Sequence, residues 1–269
     1  MRTLLIAGLL GLAVSTPALA QEEESGPISV SGSVALVSDY RFRGVSQSDK
    51  ELAVQGGVTV SHESGLYVGT WASNLSGWGT FGGSNTELDI FGGYAMDIGG
   101  ATLDVGLTWY MYPGGADTTD FAEGYAKLSS TLGPVNVLAG VAYAPKQDAL
   151  GNYSNTPSSR GQKQDNLYLW GDVNMGIPET PLTVKAHFGY SNGNPGLGPN
   201  GTSVAPTGEY LDWLLGADYA LGPVTLGVAY VDTNITKSEA AYLQPNFSST
   251  KNGSSIAGST VVFSLTAAF

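Results

Sequence analysis

The stretch 101-ATLDVGLTWYMY-112 places Leu103, Val105, Leu107, Trp109 and Met111 at alternate positions, with Thr102, Asp104, Gly106, Thr108 and Tyr110 between them. A period of two belongs to an extended strand whose two faces meet different surroundings. The same alternation recurs outward from this stretch in both directions. It predicts twelve segments of roughly ten residues, the length of a tilted membrane strand. They cover 30–44, 52–62, 65–74, 86–97, 101–112, 121–131, 135–144, 166–176, 182–190, 209–219, 224–232 and 259–269.

The connections alternate long and short. The long ones run 45–51, 75–85, 113–120, 145–165, 191–208 and 233–258. The short ones are 63-ES-64, 98-IGG-100, 132-LGP-134, 177-IPETP-181 and 220-ALGP-223. A soluble sandwich has no reason to sort its loops by parity. An up-and-down outer-membrane barrel does, because short turns face the periplasm and long loops face outward. The last segment, 259-STVVFSLTAAF-269, puts Val261, Phe263, Leu265, Ala267 and Phe269 on one face and ends on an aromatic residue, as many outer-membrane barrels do. In water that face would be an aggregation-prone edge.

Composition narrows the alternatives. Charged residues are only 13% of the 269, glycine numbers 38, and there is no cysteine. An exported chain without disulfides must take its stability from a large closed architecture or from a medium other than water. Residues 1–20 read as a secretory signal, with Arg2, the apolar 4-LLIAGLLGLAV-14 and the small-residue site 18-ALA-20. Residues 21–27 are then a short acidic tail and 28–269 the barrel. Without Arg2 the chain carries 10 basic and 23 acidic residues, a net charge of −13. That balance excludes a nucleic-acid partner held by a basic surface. No later apolar run is long enough for a membrane helix.

The alternating faces give candidate site residues. Asp39, Arg41, Arg43, Glu87, Asp89, Asp104, Asp172, Lys185, His187 and Asp212 share the phase opposite to the apolar positions, so they are expected to line the lumen. Tyr40, Phe42, Trp109, Trp213 and Phe269 are expected in aromatic girdles at the membrane interfaces. Val34 and Leu36 should face lipid with Tyr40 and Phe42. Two roles remain open for the inward charges. They pair to satisfy a narrow interior, or they line a diffusion path and bias it by charge.

The segments 38-SDYRFRGVSQSD-49, 53-AVQGG-57, 62-HESGLYVGTWASN-74 and 87-ELDIFGGY-94 resemble the N-terminal signature of the TorF family of porins, exported Gram-negative proteins described as conserved hypothetical. The resemblance is dense over 32–94 and rests elsewhere on length, strand rhythm and the terminal Phe. It implies an outer-membrane location and a pore role. It brings no catalytic residue and no substrate.

Catalytic chemistry finds little support. His62 stands between Ser61 and Glu63, but adjacent strand residues point to opposite faces and the trio cannot converge. His187 has Lys185 on its face and no carboxylate partner visible in the sequence. The acidic loop 114-GGADTTD-120 lacks the ligand spacing of a calcium loop. No metal, cofactor or enzymatic activity is expected. The expectation is a channel for small hydrophilic solutes or ions, favouring cations. The alternative is a structural or surface barrel with an occluded lumen, and an outer-membrane lipid-modifying enzyme comes third. The expected partners are outer-membrane lipids, small solutes and the barrel-assembly machinery acting on the strand that ends in Phe269.

Overall fold

Alternation becomes architecture once each strand finds its neighbours. A computed structural model describes residues 26–157, 160–196, 202–243 and 246–269. The expected signal segment 1–20 and most of the acidic tail lie outside the described residues. The chain forms β1 (Ile28–Val37), a short ribbon β2 (Arg41–Phe42) and β3 (Val45–Ser46), then β4 (Ala53–His62), β5 (Leu66–Asn74), β6 (Thr86–Asp97) and β7 (Ala101–Met111). There follow β8 (Phe121–Leu132), β9 (Val135–Gln147), α1 (Asp148–Asn152), β10 (Gln164–Gly176), β11 (Leu182–Asn192), β12 (Glu209–Leu221), β13 (Val224–Thr233), α2 (Lys237–Tyr242) and β14 (Thr260–Ala268). Apart from the β2–β3 ribbon, the strands make one closed antiparallel barrel of twelve.

Each barrel strand pairs with the next in the chain, and β1 closes the ring against β14 from Ser33↔Ala268 to Val37↔Ser264. Closure leaves no edge with unpaired backbone groups. Phe269 extends the seam by exchanging two backbone hydrogen bonds with Gly32, and its ring lies over that glycine. The short turns 133-GP-134 and 222-GP-223 join their strands with Gly133 at φ 63° and Gly222 at φ 59°. Glycine with positive φ at the first turn position, followed by proline, matches the twist of a two-residue hairpin.

The two faces differ as the alternation requires. Large apolar side chains point outward and lie open, among them Val34, Leu107 (52% exposed) and Phe263 (61% exposed). Charges within the body of the strands point inward, while Asp165, Glu209 and Asp232 near strand ends bond the outer tyrosines Tyr143, Tyr190 and Tyr230. Eleven of the twelve expected segments match a barrel strand to within three residues at either end.

The first expected strand is the exception. The segment 30–44 does not continue as wall: β1 stops at Val37, and the chain turns inward, with residues 39–49 buried apart from half-buried Arg41. Arg43 (φ 50°) and Gly44 (φ 78°) both take positive φ at the tip of the β2–β3 hairpin, the geometry of a type I′ turn. Tyr40 and Phe42 therefore do not form a girdle. They are buried, with Tyr40 4% exposed, because the hairpin carries them to the barrel's interior aromatics. The hairpin satisfies its own polar groups locally. Asp39 accepts the Ser46 hydroxyl at 2.5 Å and pairs with Arg41 Nε at 2.8 Å, while Arg41 also donates to the carbonyls of Gly44 and Gly258.

Candidate functional site

The hairpin is a stopper whose contacts run around most of the wall. Tyr40 packs on Trp71 of β5, ring centroids 5.4 Å apart, and its hydroxyl donates to Glu87 of β6 at 3.0 Å. Phe42 meets Tyr110 of β7 edge-on at 5.9 Å. Arg43 reaches Glu123 of β8, where Nη2 donates to both carboxylate oxygens at 2.7 and 2.6 Å, and Nη1 donates to Asn166 of β10. Tyr210 of β12 donates its hydroxyl to the Arg43 carbonyl at 2.9 Å. Gly44 fits because it has no side chain: a β-carbon there would stand 2.8 Å from Asp212 Cβ and 2.5 Å from the Thr233 methyl of β13. Behind the hairpin the long loops add Trp78, Phe81, Tyr153, Leu150, Phe247 and Ile256 to one buried cluster with Tyr110 and Phe121. Tyr110 and Phe121 stack at 4.5 Å.

Burial works against the Arg43 cation, but Glu123 beside it more than compensates and raises its pKa above the ordinary arginine value. The guanidinium lies over two rings, Phe42 at 4.7 Å and Tyr168 at 4.4 Å, within cation–π range. Burial, with the charge of Glu87 adding to it, pushes the Tyr40 hydroxyl well above its usual pKa, so it stays a donor.

Below the hairpin the inner wall carries paired charges. Lys127 meets Asp104 at 2.8 Å, and Asp104 also accepts from the Tyr67 hydroxyl at 2.6 Å. Lys185 meets Asp218 at 2.8 Å. His187 lies between Asp172 at 2.7 Å and Asp212 at 3.2 Å, with the Tyr168 hydroxyl at 2.8 Å. Solvent still touches this level: the Asp172 side chain is 24% exposed and His187 19%.

Several aromatic residues of the inner wall lie against neighbouring glycines. Five inward glycines face an aromatic residue on the neighbouring strand: Gly57 and Trp71, Gly69 and Phe91, Gly93 and Tyr67, Gly106 and Tyr125, Gly140 and Trp170. A β-carbon on any of these glycines would meet its ring at 3.1 Å or less. These rings lie against bare backbone and pack the wall by aromatic rescue of glycine.

Of the ten residues expected to line the lumen, Asp39, Arg43, Glu87, Asp89, Asp104, Lys185 and Asp212 are buried and Arg41, Asp172 and His187 half-buried, but Asp39, Arg41 and Arg43 belong to the hairpin segment and not to a wall strand. Glu87 and Asp89 are fully buried under it. Trp109, Trp213 and Phe269 lie on the outer face. The sequence reading missed Glu123, Lys127 and Asp218, which supply three of the buried ion pairs. The signal for the first two was faint, since 121-FAEGYAKL-128 has only Ala122, Gly124 and Ala126 on its outer face before Leu128. His187 gains two carboxylates that the sequence did not reveal, because strand register brings Asp172 directly opposite it. His62 lies exposed at a short turn and contacts Ser64. Asp117 and Asp120 accept hydrogen bonds from Asn155 and from the Tyr112 amide, as turn residues do. Among the described residues no group of three or more His, Cys, Asp or Glu side chains could hold a metal ion.

Residues 21–269 match the family described as "Bacterial protein of unknown function (Gcw_chp)". The chain belongs to that family. No curated protein is detectably similar in sequence. Among solved structures, a chain from a study of the in meso crystallization of membrane proteins superposes with a TM-score of 0.50 at 9% identity, covering 89% of this chain and 83% of that one. A refined porin gives 0.44 at 11% identity over 90% of this chain and 100% of its own. An outer-membrane channel from Pseudomonas putida F1 gives 0.43 at 11% identity over 89% and 94%.

Proposed function

We propose that this chain is an outer-membrane channel of the porin type that passes small hydrophilic cations and is closed at its outer end by its own first long loop. One observation carries the reading: the closed barrel sorts apolar side chains to an open exterior and charges to an interior still touched by solvent at Asp172 and His187. An exterior with Leu107, Phe188, Leu215 and Phe263 uncovered suits lipid and not water. The resemblance to the TorF family points the same way. Long loops then face outward and short turns face the periplasm, Trp109 and Trp213 anchor the interfaces, and the strand ending in Phe269 is the one offered to the assembly machinery. Cation preference follows from the balance of charge. Among the described residues at least eight carboxyl groups (Asp39, Glu87, Asp89, Asp104, Glu123, Asp172, Asp212 and Asp218) face inward against the fixed cations Arg41, Arg43, Lys127 and Lys185.

Planar-bilayer recording tests the channel. The refolded native chain should show rare, brief openings. A variant with residues 39–50 replaced by a short Gly/Ser turn should conduct steadily and favour cations. If neither gives current steps although both show heat-modifiable gel migration, the second reading replaces this one. That reading is a structural or surface barrel whose lumen stays occluded even without the hairpin.

Lipid contact has its own test. Changing Leu107 to Arg should cost about 2–4 kcal/mol in vesicles if the position lies near the bilayer midplane. A loss within about 0.5 kcal/mol, the range of an ordinary surface change, would place that face in water.

A further inference from the structure

The wall beneath the hairpin carries more carboxyl groups than the hairpin supplies basic partners for. Glu87 and Asp89 of β6 and Glu123 of β8 are each 2% exposed or less. A single cation, Arg43, is paired to this face, and its ion pair is with Glu123. Glu87 takes the Tyr40 hydroxyl. Asp89 has no hydrogen-bond partner on either oxygen. A buried carboxyl group without a partner is costly to ionise, and a cation entering beside Glu87 and Asp89 would offset that cost.

The surroundings of the guanidinium are those of a receptor for an organic cation. Both oxygens of the Glu123 carboxylate accept from Nη2, the Asn166 amide oxygen accepts from Nη1, and the rings of Phe42 and Tyr168 lie within 4.7 Å of the guanidinium carbon. Tyr168, Asn166 and Glu123 belong to the wall and remain when the hairpin leaves.

We propose that Glu87, Asp89, Glu123, Asn166 and Tyr168 form the pore's recognition site for guanidinium- or ammonium-type cations, and that the Arg43 side chain is a tethered occupant that holds the passage shut. The proposal deepens the channel reading and its pore role rests on it. Cation binding can be measured without current.

The test is chemical rescue in the refolded full-length chain. Arg43→Ala should melt below the native protein. Millimolar guanidinium chloride should restore part of that loss, where sodium chloride at equal ionic strength does not. The native chain and Arg43→Ala/Glu123→Gln should not respond. In bilayers Arg43→Ala should raise open time roughly tenfold, equivalent to about 1.4 kcal/mol, and guanidinium should close it again. If Arg43→Ala does not refold, the variant with 39–50 replaced serves instead. Guanidinium should block its sodium current, and adding Asp89→Asn should relieve the block. Guanidinium acting no differently from sodium in these assays overturns the proposal. Silence in every bilayer, with guanidinium still restoring thermal stability, removes the channel reading and retains the cation site.

Discussion

Replacing Glu123 with Ala is expected to destabilise the barrel by about 3–5 kcal/mol, because it leaves the Arg43 guanidinium buried with no counter-charge. The side chains of the pair are 5% and 2% exposed, so solvent cannot take over from the carboxylate. Urea unfolding of the protein refolded in lipid vesicles gives the number. The double variant Arg43→Met/Glu123→Leu should recover most of the loss, since apolar residues of similar volume often replace a buried ion pair at little cost. A Glu123→Ala loss under about 1 kcal/mol is the scale of an exposed ion pair. It would mean that the hairpin leaves the lumen readily and the pair is wet.

Gly140→Val should cost about 1–3 kcal/mol by overpacking, or more if the wall cannot yield. A β-carbon at Gly140 of β9 would sit 2.3 Å from the Trp170 ring on β10. The ring would have to leave the wall for the lumen. Its fluorescence should shift to the red as it meets water, and conductance of the variant with 39–50 replaced should fall. Gly171→Ala on the neighbouring strand β10 is the control. Its β-carbon would approach nothing closer than the Leu138 carbonyl at 3.5 Å, an ordinary contact, so it should stay within about 0.5 kcal/mol of native. Equal losses at both positions would show that the cost is strand propensity and not the ring.

Much of the architecture was legible because the barrel repeats one local rule. Leu103, Val105, Leu107 and Trp109 announce their common face without knowledge of any neighbour, and the alternation of long and short connections orders the strands. The residues 121-FAEGYAKL-128 were harder, because their outer face is built from Ala122, Gly124 and Ala126 and says little about lipid. Glu123 and Lys127 went unnoticed for that reason. The His187 cluster was hidden differently, since Asp172 and Asp212 lie 15 and 25 residues away and meet it only through register.

The sequence by itself determined the closed antiparallel barrel, the positions of its strands after the first, and the outward or inward sense of its wall residues. Each of these follows from period two and from the unequal cost of placing charge on either face. The tertiary structure decided what 38-SDYRFRGVSQSD-49 does. Strand and hairpin share the same alternation over such a short stretch, so Tyr40 and Phe42 fit an outer girdle as well as an inner plug. Only the assembled lumen offers Trp71 and Tyr110 to the rings and Glu123 and Asn166 to Arg43, and those long-range contacts draw the segment inward.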